Sequence, residues 1–226
     1  LTTMTQAGGK LLPELHKKYA EWCEKTGRQF IVMYGQCEAT ARMAYLPWEK
    51  SLAKIGAMGV AIPGGAFELI DTDGSVITQP HVTGELRYRG ANVTLGYAET
   101  GADLNRGDDF GGVLETGDMA QMDEDGYFTI VGRKKRFLKL FGNRVNLDEV
   151  ERMLKAKYPE AEVACAGRDD RLTLFATDAA LLPAMRAYLA EKTGLNASGF
   201  VPIAVTAIPK NEAGKTLYKE LETYDA

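Results

Sequence analysis

The alternation of apolar and polar positions changes character along the chain. Between residues 55 and 131 the period is two, and it predicts short strands at 66–70, 84–88, 119–122 and 126–131. Asp73-Gly74 and Asp125-Gly126 supply turns between these strands. A small antiparallel β-barrel is the packing that this pattern predicts for residues 55–132.

Helical spacing precedes this β-rich part. Leu12, Leu15, Tyr19 and Trp22 recur every three or four residues and predict an amphipathic helix over residues 10–26. Residues 29–33 then form a short predicted strand, so we expect residues 1–54 to belong to an α/β sheet layer. Ligands gather at the carboxyl ends of strands in such sheets, but residues 34–38 taken in isolation are better explained as an ordinary exposed loop.

A basic stretch separates the β-rich part from the rest of the chain. Four consecutive cations occupy residues 133–136 directly after Gly132, and clustered charge predicts a solvated inter-domain loop. A predicted strand at 137–140, a Gly142-Asn143 turn and a helix capped by Asn146 follow. Helical patterns at 147–157 and 182–192 alternate with strands at 162–166, 172–176 and 203–208, which predicts an α+β domain over residues 133–226.

Composition narrows the classes of function. The 226 residues carry a formal net charge of only -4, so the chain has no overall field that would attract nucleic acid or an anionic membrane. No run of eighteen apolar residues occurs, and we expect no membrane span. Three cysteines without CxxC spacing favour reduced thiols in a cytoplasmic protein. Because the chain starts at Leu1 without leader character, we expect it to be a piece of a longer protein.

Two short motifs suggest phosphate or nucleotide chemistry. Asp118, after Thr116-Gly117, is suited either to capping a turn or to accepting both hydroxyls of a ribose. Gly214-Lys215-Thr216 follows an apolar strand, as in the phosphate loop of P-loop enzymes. However, Pro209 stands where that loop needs its first glycine, which excludes this interpretation.

Taken together, the motifs resemble a known family. They are Tyr34-Gly35-Gln36-Cys37-Glu38, Thr116-Gly117-Asp118, Gly132-Arg133 and Gly214-Lys215, with weaker matches at Gly8-Gly9, Gly84-Glu85-Leu86 and Gly96-Tyr97. In this order and with these separations, they resemble the carboxyl-terminal half of the adenylate-forming superfamily, which includes acyl-CoA synthetases and peptide adenylation domains. The resemblance implies the end of a large-domain sheet layer, a β-barrel subdomain and a small mobile α+β domain.

The resemblance also implies a role for each matching position. Nucleotide binding is implied for Gly8, Gly9, Tyr34, Gly35, Cys37, Asp118 and Arg133. Glu38 would ligate Mg²⁺, Lys135 would be the hinge, Gly142 would line the path of the thiol, and Lys215 would be the catalytic lysine. The implied reaction joins a carboxylic acid to ATP and then transfers the acyl group from AMP to CoA or to the phosphopantetheine of a carrier protein.

Three features depart from the family pattern. Cys37 stands where a threonine is usual, and a thiol is a weaker hydrogen-bond donor to phosphate than a hydroxyl. Lys10 replaces a small residue after the double glycine. No glycine- and serine-rich phosphate loop occurs in residues 1–48, so we expect a truncated ligase that is inactive alone. The alternative is a non-catalytic nucleotide- or partner-binding module that retains the fold.

Overall fold

The computed structural model describes residues 1–9, 11–212 and 214–225, and the chain falls into two units, Leu1–Val131 and Gly132–Ala226. The helices are α1 (Pro13–Lys25), α2 (Leu147–Lys157), α3 (Leu182–Thr193) and α4 (Tyr218–Glu222). The first strands are β1 (Thr3–Gln6), β2 (Gln29–Tyr34), β3 (Glu38–Ala41), β4 (Ala44–Tyr45), β5 (Val60–Ala61), β6 (Gly65–Ile70), β7 (Val76–Ile77) and β8 (Gly84–Gly90). The remaining strands are β9 (Val113–Met122), β10 (Phe128–Arg133), β11 (Phe137–Leu140), β12 (Asn143–Asn146), β13 (Val163–Arg168), β14 (Arg171–Ala176) and β15 (Phe200–Ala204).

The first helix packs against a four-stranded sheet with the strand order β1-β2-β4-β5. Pro13 begins α1, where its missing N–H costs nothing, and Gly27 follows the helix with a φ of +64°. Ala20 and Cys23 of α1 are buried against Phe30 of β2. The helix predicted over 10–26 is therefore confirmed as Pro13–Lys25; Lys10 lies outside the described residues.

The second sheet corrects the predicted barrel. Its five strands have the order β10-β9-β8-β6-β7, and within the described residues β7 and β10 remain at opposite edges. A barrel requires the two edge strands to pair with each other, but β7 contains only two residues, Val76 and Ile77. The mixed α/β class is confirmed, whereas the β-rich part is an open sheet.

A β-bulge in β9 explains a second difference from the sequence prediction. Residues 115–118 were expected between strands, but they lie within β9. Glu85 pairs with Met119 and Arg87 pairs with Glu115, so the three residues 116–118 oppose the single residue Leu86. Gly117 permits this bulge because it adopts a φ of +67°. The bulge breaks the two-residue alternation of apolar and polar positions, so the sequence pattern did not predict the first half of β9 as strand.

The second unit is built on the sheet β13-β14-β15. Strand β14 is antiparallel to β13 and parallel to β15. Alternate residues of β13 face opposite layers: Val163 and Cys165 join the core with α2 and α3, and Ala164 and Ala166 contact the cluster that contains Leu221 of α4. The predicted strand over 203–208 is wrong in its bounds, because β15 ends at Ala204.

The stretch after Gly132 is more ordered than a solvated loop. Residues 134–136 form one 3₁₀ turn in which Lys134 and Lys135 are exposed but Arg136 is buried. The expectation that all four cations are solvated is therefore wrong for Arg136. Strands β11 and β12 form a hairpin whose two-residue turn is Phe141-Gly142, one residue earlier than predicted. As predicted, Asn146 caps α2, where its side chain accepts a hydrogen bond from the N–H of Asp148.

Candidate functional site

Three motif residues of the first unit meet at one hydrogen-bonded centre. The phenol of Tyr34 donates to Oδ2 of Asp118 at 2.6 Å. The side-chain amide of Gln36 donates to the same oxygen at 2.9 Å and to the carbonyl of Thr116 at 3.0 Å. Asp118 is buried, and a buried polar side chain needs such hydrogen bonds to offset its loss of hydration. The structure thus brings the Tyr34 and Asp118 motifs, 84 residues apart, into direct contact.

Local geometry orients Asp118. The hydroxyl of Thr116 donates to the carbonyl of Leu86 and accepts the N–H of Asp118, at 2.6 and 3.1 Å respectively. The side chain of Thr116 thereby replaces the regular ladder bonds that the bulge at Gly117 interrupts. Bulges next to functional sites often redirect one side chain in this way.

Glu38 lies beside an aromatic residue that the sequence had placed only in a weak motif. The phenol of Tyr97 donates to Oε1 of Glu38 at 2.9 Å. This hydrogen bond, together with partial burial and the charge of Glu38, raises the pKa of the Tyr97 phenol. The remaining carboxylate oxygen suits Mg²⁺, which in phosphate-transfer sites typically takes one or two carboxylates together with substrate phosphates and water. Among the described residues, no group of three or more His, Cys, Asp and Glu side chains forms a metal cluster.

The other nucleotide-motif residues of the first unit lie in loops. Cys37 is exposed and unbonded to another cysteine. Gly35 follows the end of β2 and is half-buried. Gly8 and Gly9 follow β1, where Gly8 has a φ of +91° and the carbonyl of Gly9 accepts a hydrogen bond from Gln6 at 2.8 Å. The specific nucleotide contacts implied for these four residues stay predictions.

Lys215 lies next to an antiparallel bridge in the second unit. Lys210 and Thr216 form an antiparallel bridge, and the side chain of Asn211 accepts the N–H of Lys215 at 2.9 Å. Gly214 has a φ of +76°, which favours glycine at this position. The Lys215 side chain is exposed. The turn therefore presents an ammonium group on a backbone that local hydrogen bonds hold in place.

Arg136 connects the basic run to the core of the second unit. Its guanidinium donates to Asp148, to Glu151 and to the carbonyl of Cys165 at 2.7, 2.7 and 2.6 Å. It also lies 3.7 Å from the ring centroid of Tyr218, whose phenol donates to Glu151 at 3.1 Å. Burial raises the pKa of the Tyr218 phenol, as does the charge of Glu151. A buried network thus joins the residue after Lys135 to the helix that follows Lys215.

Sequence reasoning missed Gln36, Tyr97 and Arg136. Gln36 lies inside the quoted Tyr34–Glu38 motif, but its role depends on reaching Asp118 across the fold. Tyr97 belongs to the Gly96-Tyr97 motif, and nothing in its spacing indicates contact with Glu38. Arg136 is indistinguishable from its basic neighbours in sequence, since only the fold buries it.

Comparisons with known proteins identify the fold. Residues 1–98 match the family model described as AMP-binding enzyme. The 4-hydroxybutyrate–CoA ligase 1 of Metallosphaera sedula is 35% identical over 174 residues, which cover 75% of this chain and 30% of that protein. The long-chain-fatty-acid–CoA ligase of Salmonella typhimurium is 30% identical, with 95% of this chain and 39% of that protein covered. Among solved structures, O-succinylbenzoate coenzyme A synthetase from Bacillus subtilis in complex with AMP has a TM-score of 0.69 at 22% identity, covering 98% of this chain and 46% of that one.

The fold and its motifs match those of the AMP-binding family. The chain belongs to the adenylate-forming superfamily, which the sequence motifs had suggested, and it corresponds to the carboxyl-terminal region of its members. It spans less than half the length of the relatives described above. In the part of the chain that the structure describes, no helix has the length and apolar character needed to cross a bilayer.

Proposed function

We propose that this chain is the carboxyl-terminal part of an ATP-dependent acid–thiol ligase. The observation that carries this proposal is the centre formed by Tyr34, Gln36 and Asp118, because it joins two separate family motifs in one buried acceptor site. The names of the relatives support a ligase that uses CoA, and phosphopantetheine on a carrier protein offers the same thiol. The three cysteines are free, which fits the predicted cytoplasmic location.

In the proposed first step, a carboxylate oxygen attacks the α-phosphorus of ATP, the new P–O bond forms, and pyrophosphate leaves. Tyr34 offers a ring face to the adenine, and Asp118 accepts the ribose hydroxyls. Arg133 offers a planar set of donors to the ribose or phosphate. Lys215 places its ammonium between the attacking carboxylate and the α-phosphate, where negative charge accumulates.

Mg²⁺ fits the residues that are present. Glu38 would hold it through the carboxylate oxygen that does not accept from Tyr97. Bound there, the ion would neutralise phosphate charge. Tyr97 would fix the carboxylate in one rotamer, so that the ligand oxygen stays directed at the metal position.

In the proposed second step, the thiol sulfur attacks the acyl carbonyl, the bond to the AMP oxygen breaks, and the thiol proton is released. The residues around Lys135 would act as the hinge that removes Lys215 and brings the Gly142 turn toward the thiol. Lys134 and Lys135 are exposed, whereas Gly132 and Arg136 on either side are buried. The side chains at the proposed hinge thus lie at the surface, where a backbone rotation would leave the packed core undisturbed.

Acid-dependent exchange of pyrophosphate into ATP tests the proposed activity. We expect the longer protein that contains this chain to catalyse exchange only when its carboxylic acid is present. The 226-residue chain alone should show no exchange above a blank without protein, because it lacks the phosphate loop of the family. Pyrophosphate exchange by the isolated chain would contradict the proposal that part of the active site lies outside it. Nucleotide binding without pyrophosphate exchange in the longer protein would favour a non-catalytic binding module.

Lys135 provides a test of the hinge. In the longer ligase, Lys135→Pro should leave adenylate formation nearly unchanged but slow thioester formation about tenfold or more, because proline fixes φ in the turning segment. Stopped-flow measurements of the two half-reactions would separate the effects, with Lys157→Ala at the exposed end of α2 as the control. Equal losses in both half-reactions would show that the hinge is elsewhere.

A further inference from the structure

We infer that Asp170, assisted by Asp169, is a positioning residue that fixes the Phe141-Gly142 turn for the thiol step. This inference rests on the proposed function, since it concerns the turn that the family resemblance assigns to the path of the thiol. Neither aspartate belongs to any of the motifs that define the family resemblance.

The two aspartates form the turn between β13 and β14, and their carboxylates bind the backbone of a different hairpin. Oδ1 of Asp170 accepts the N–H of Phe141 at 2.8 Å, and Oδ1 of Asp169 accepts the N–H of Lys139, also at 2.8 Å. The N–H of Asp170 in turn donates to the carbonyl of Lys139 at 2.6 Å. The bonded residues are 29 to 31 positions apart in sequence, counting from 141 to 170 and from 139 to 170, so these contacts are tertiary rather than local turn caps.

The hydrogen bonds join two turns, each of which contains a residue with a strained backbone. Phe141 has a φ of +50° and Asp170 has a φ of +62°. An aspartate tolerates the left-handed region, but a bulky aromatic residue rarely adopts it. Such a conformation persists only when the surroundings enforce it, and strained residues of this kind concentrate at functional sites. The Asp170 carboxylate supplies one of the enforcing contacts.

Gly199, which directly precedes β15, supplies a second contact. A Cβ at this position would lie 2.9 Å from Cε2 of Phe141 and 2.8 Å from Cδ1 of Leu140. The Phe141 ring thus lies over a backbone surface that only glycine leaves open. Phe141 nevertheless remains 48% exposed, so the residue is fixed at its backbone and at one ring edge while its other face is open to solvent.

Fixing the turn in advance reduces the ordering that thiol entry requires. A flexible turn would sample many positions, and only a fraction of them would line a narrow path to the acyl carbonyl. Gly142 has a φ of +80° and no atom within 4 Å of an added Cβ, so the tip of the turn itself remains accessible. Asp170 therefore acts through Phe141 and Gly142, without touching the substrates.

Two substitutions of Asp170 separate the carboxylate from the backbone conformation. Asp170→Gly keeps the left-handed φ without strain but removes the side-chain acceptor. Asp170→Asn keeps the left-handed φ and an oxygen that can accept the N–H of Phe141. In the 226-residue chain, amide hydrogen exchange at Phe141 should accelerate about tenfold in Asp170→Gly and stay near the original rate in Asp170→Asn. Asp178→Gly is the matched control, because Asp178 accepts the N–H of Ala180 within its own turn.

The longer ligase then tests the functional role. Asp170→Gly should lower the rate constant of thioester formation about tenfold without changing acid-dependent pyrophosphate exchange, and Asp170→Asn should restore the rate. Gly199→Ala, which displaces the Phe141 ring with Asp170 intact, should give the same selective loss, while thermal melting checks that each variant folds. Faster amide hydrogen exchange at Phe141 with an unchanged rate of thioester formation would overturn the inference. Absence of acid-dependent exchange in the unmodified ligase would overturn the proposed function and the thiol role with it, although the amide-exchange result in the chain itself would stand.

Discussion

Arg136→Ala should lower the free energy of unfolding of the second unit by about 3–5 kcal/mol, the cost of removing one partner from a buried ion pair. Glu151 is buried, and after the substitution its charge would keep only the N–H of Cys165, the phenol of Tyr218 and the more distant ammonium of Lys155. Burial by itself would lower the pKa of Arg136. The charge of Glu151 and the hydrogen bond to Asp148 outweigh burial and raise it, which shows that the cation is well compensated.

The two tryptophans make this prediction easy to measure. Trp22 and Trp48 are the only tryptophans in the sequence, and both belong to the first unit. Urea unfolding followed by tryptophan fluorescence therefore reports that unit, while amide exchange in β13 and β14 reports the second. We expect Arg136→Ala to accelerate exchange in β13 and β14 strongly and to shift the fluorescence transition much less.

Two further variants serve as controls for Arg136. Arg152→Ala removes an exposed cation from α2, whose ion pair with Glu149 is 3.8 Å long, and should change stability by less than about 0.5 kcal/mol. Arg136→Lys keeps the charge but cannot direct donors at three separate acceptors. Its loss of stability should therefore lie between those of Arg152→Ala and Arg136→Ala. If amide exchange in β13 and β14 of Arg136→Ala kept its original rates, the hydrogen-bond network around Arg136 would contribute nothing to stability.

Lys215→Ala in the longer ligase should slow adenylate formation by about 10²–10³-fold, the usual cost of losing one preorganised donor to transition-state charge. The turn at Lys210–Thr216 should persist, because its hydrogen bonds involve Asn211 and the backbone rather than the Lys215 ammonium. The substitution should therefore leave the melting temperature unchanged. Single-turnover measurement of acid-dependent pyrophosphate release would detect the loss.

The second half-reaction supplies the internal control for Lys215. Given preformed acyl-adenylate, Lys215→Ala should form thioester at close to the original rate, since the lysine acts only on the first transition state. Lys219→Ala, on the exposed surface of α4, should leave both half-reactions intact. Unimpaired adenylation would exclude Lys215 from the active site, and equal losses in both half-reactions would contradict the proposed rotation.

Local chemistry made much of the secondary structure predictable. Pro13 and Gly27 bound α1, Asn146 caps α2, and Gly194 ends α3 with a φ of +69°. Each of these signals operates within a few residues, so it is visible in the sequence alone. Predictions weakened where long-range pairing decides the structure, as in β9, whose bulge interrupts the pattern of alternation, and in the open sheet that replaced the predicted barrel.

The sequence by itself determined the family, because its motifs keep their order and residue types whatever lies between them. It also determined Asp118, Glu38 and Lys215 as candidates for nucleotide, metal and catalytic roles. Only the tertiary structure decided their partners: Gln36 and Tyr34 converge on Asp118, Tyr97 reaches Glu38, and Asp170 holds the turn at Phe141. These contacts join residues 29 to 84 positions apart. Burial and hydrogen-bond geometry at such separations depend on how sheets and turns pack, which no local pattern of residues encodes.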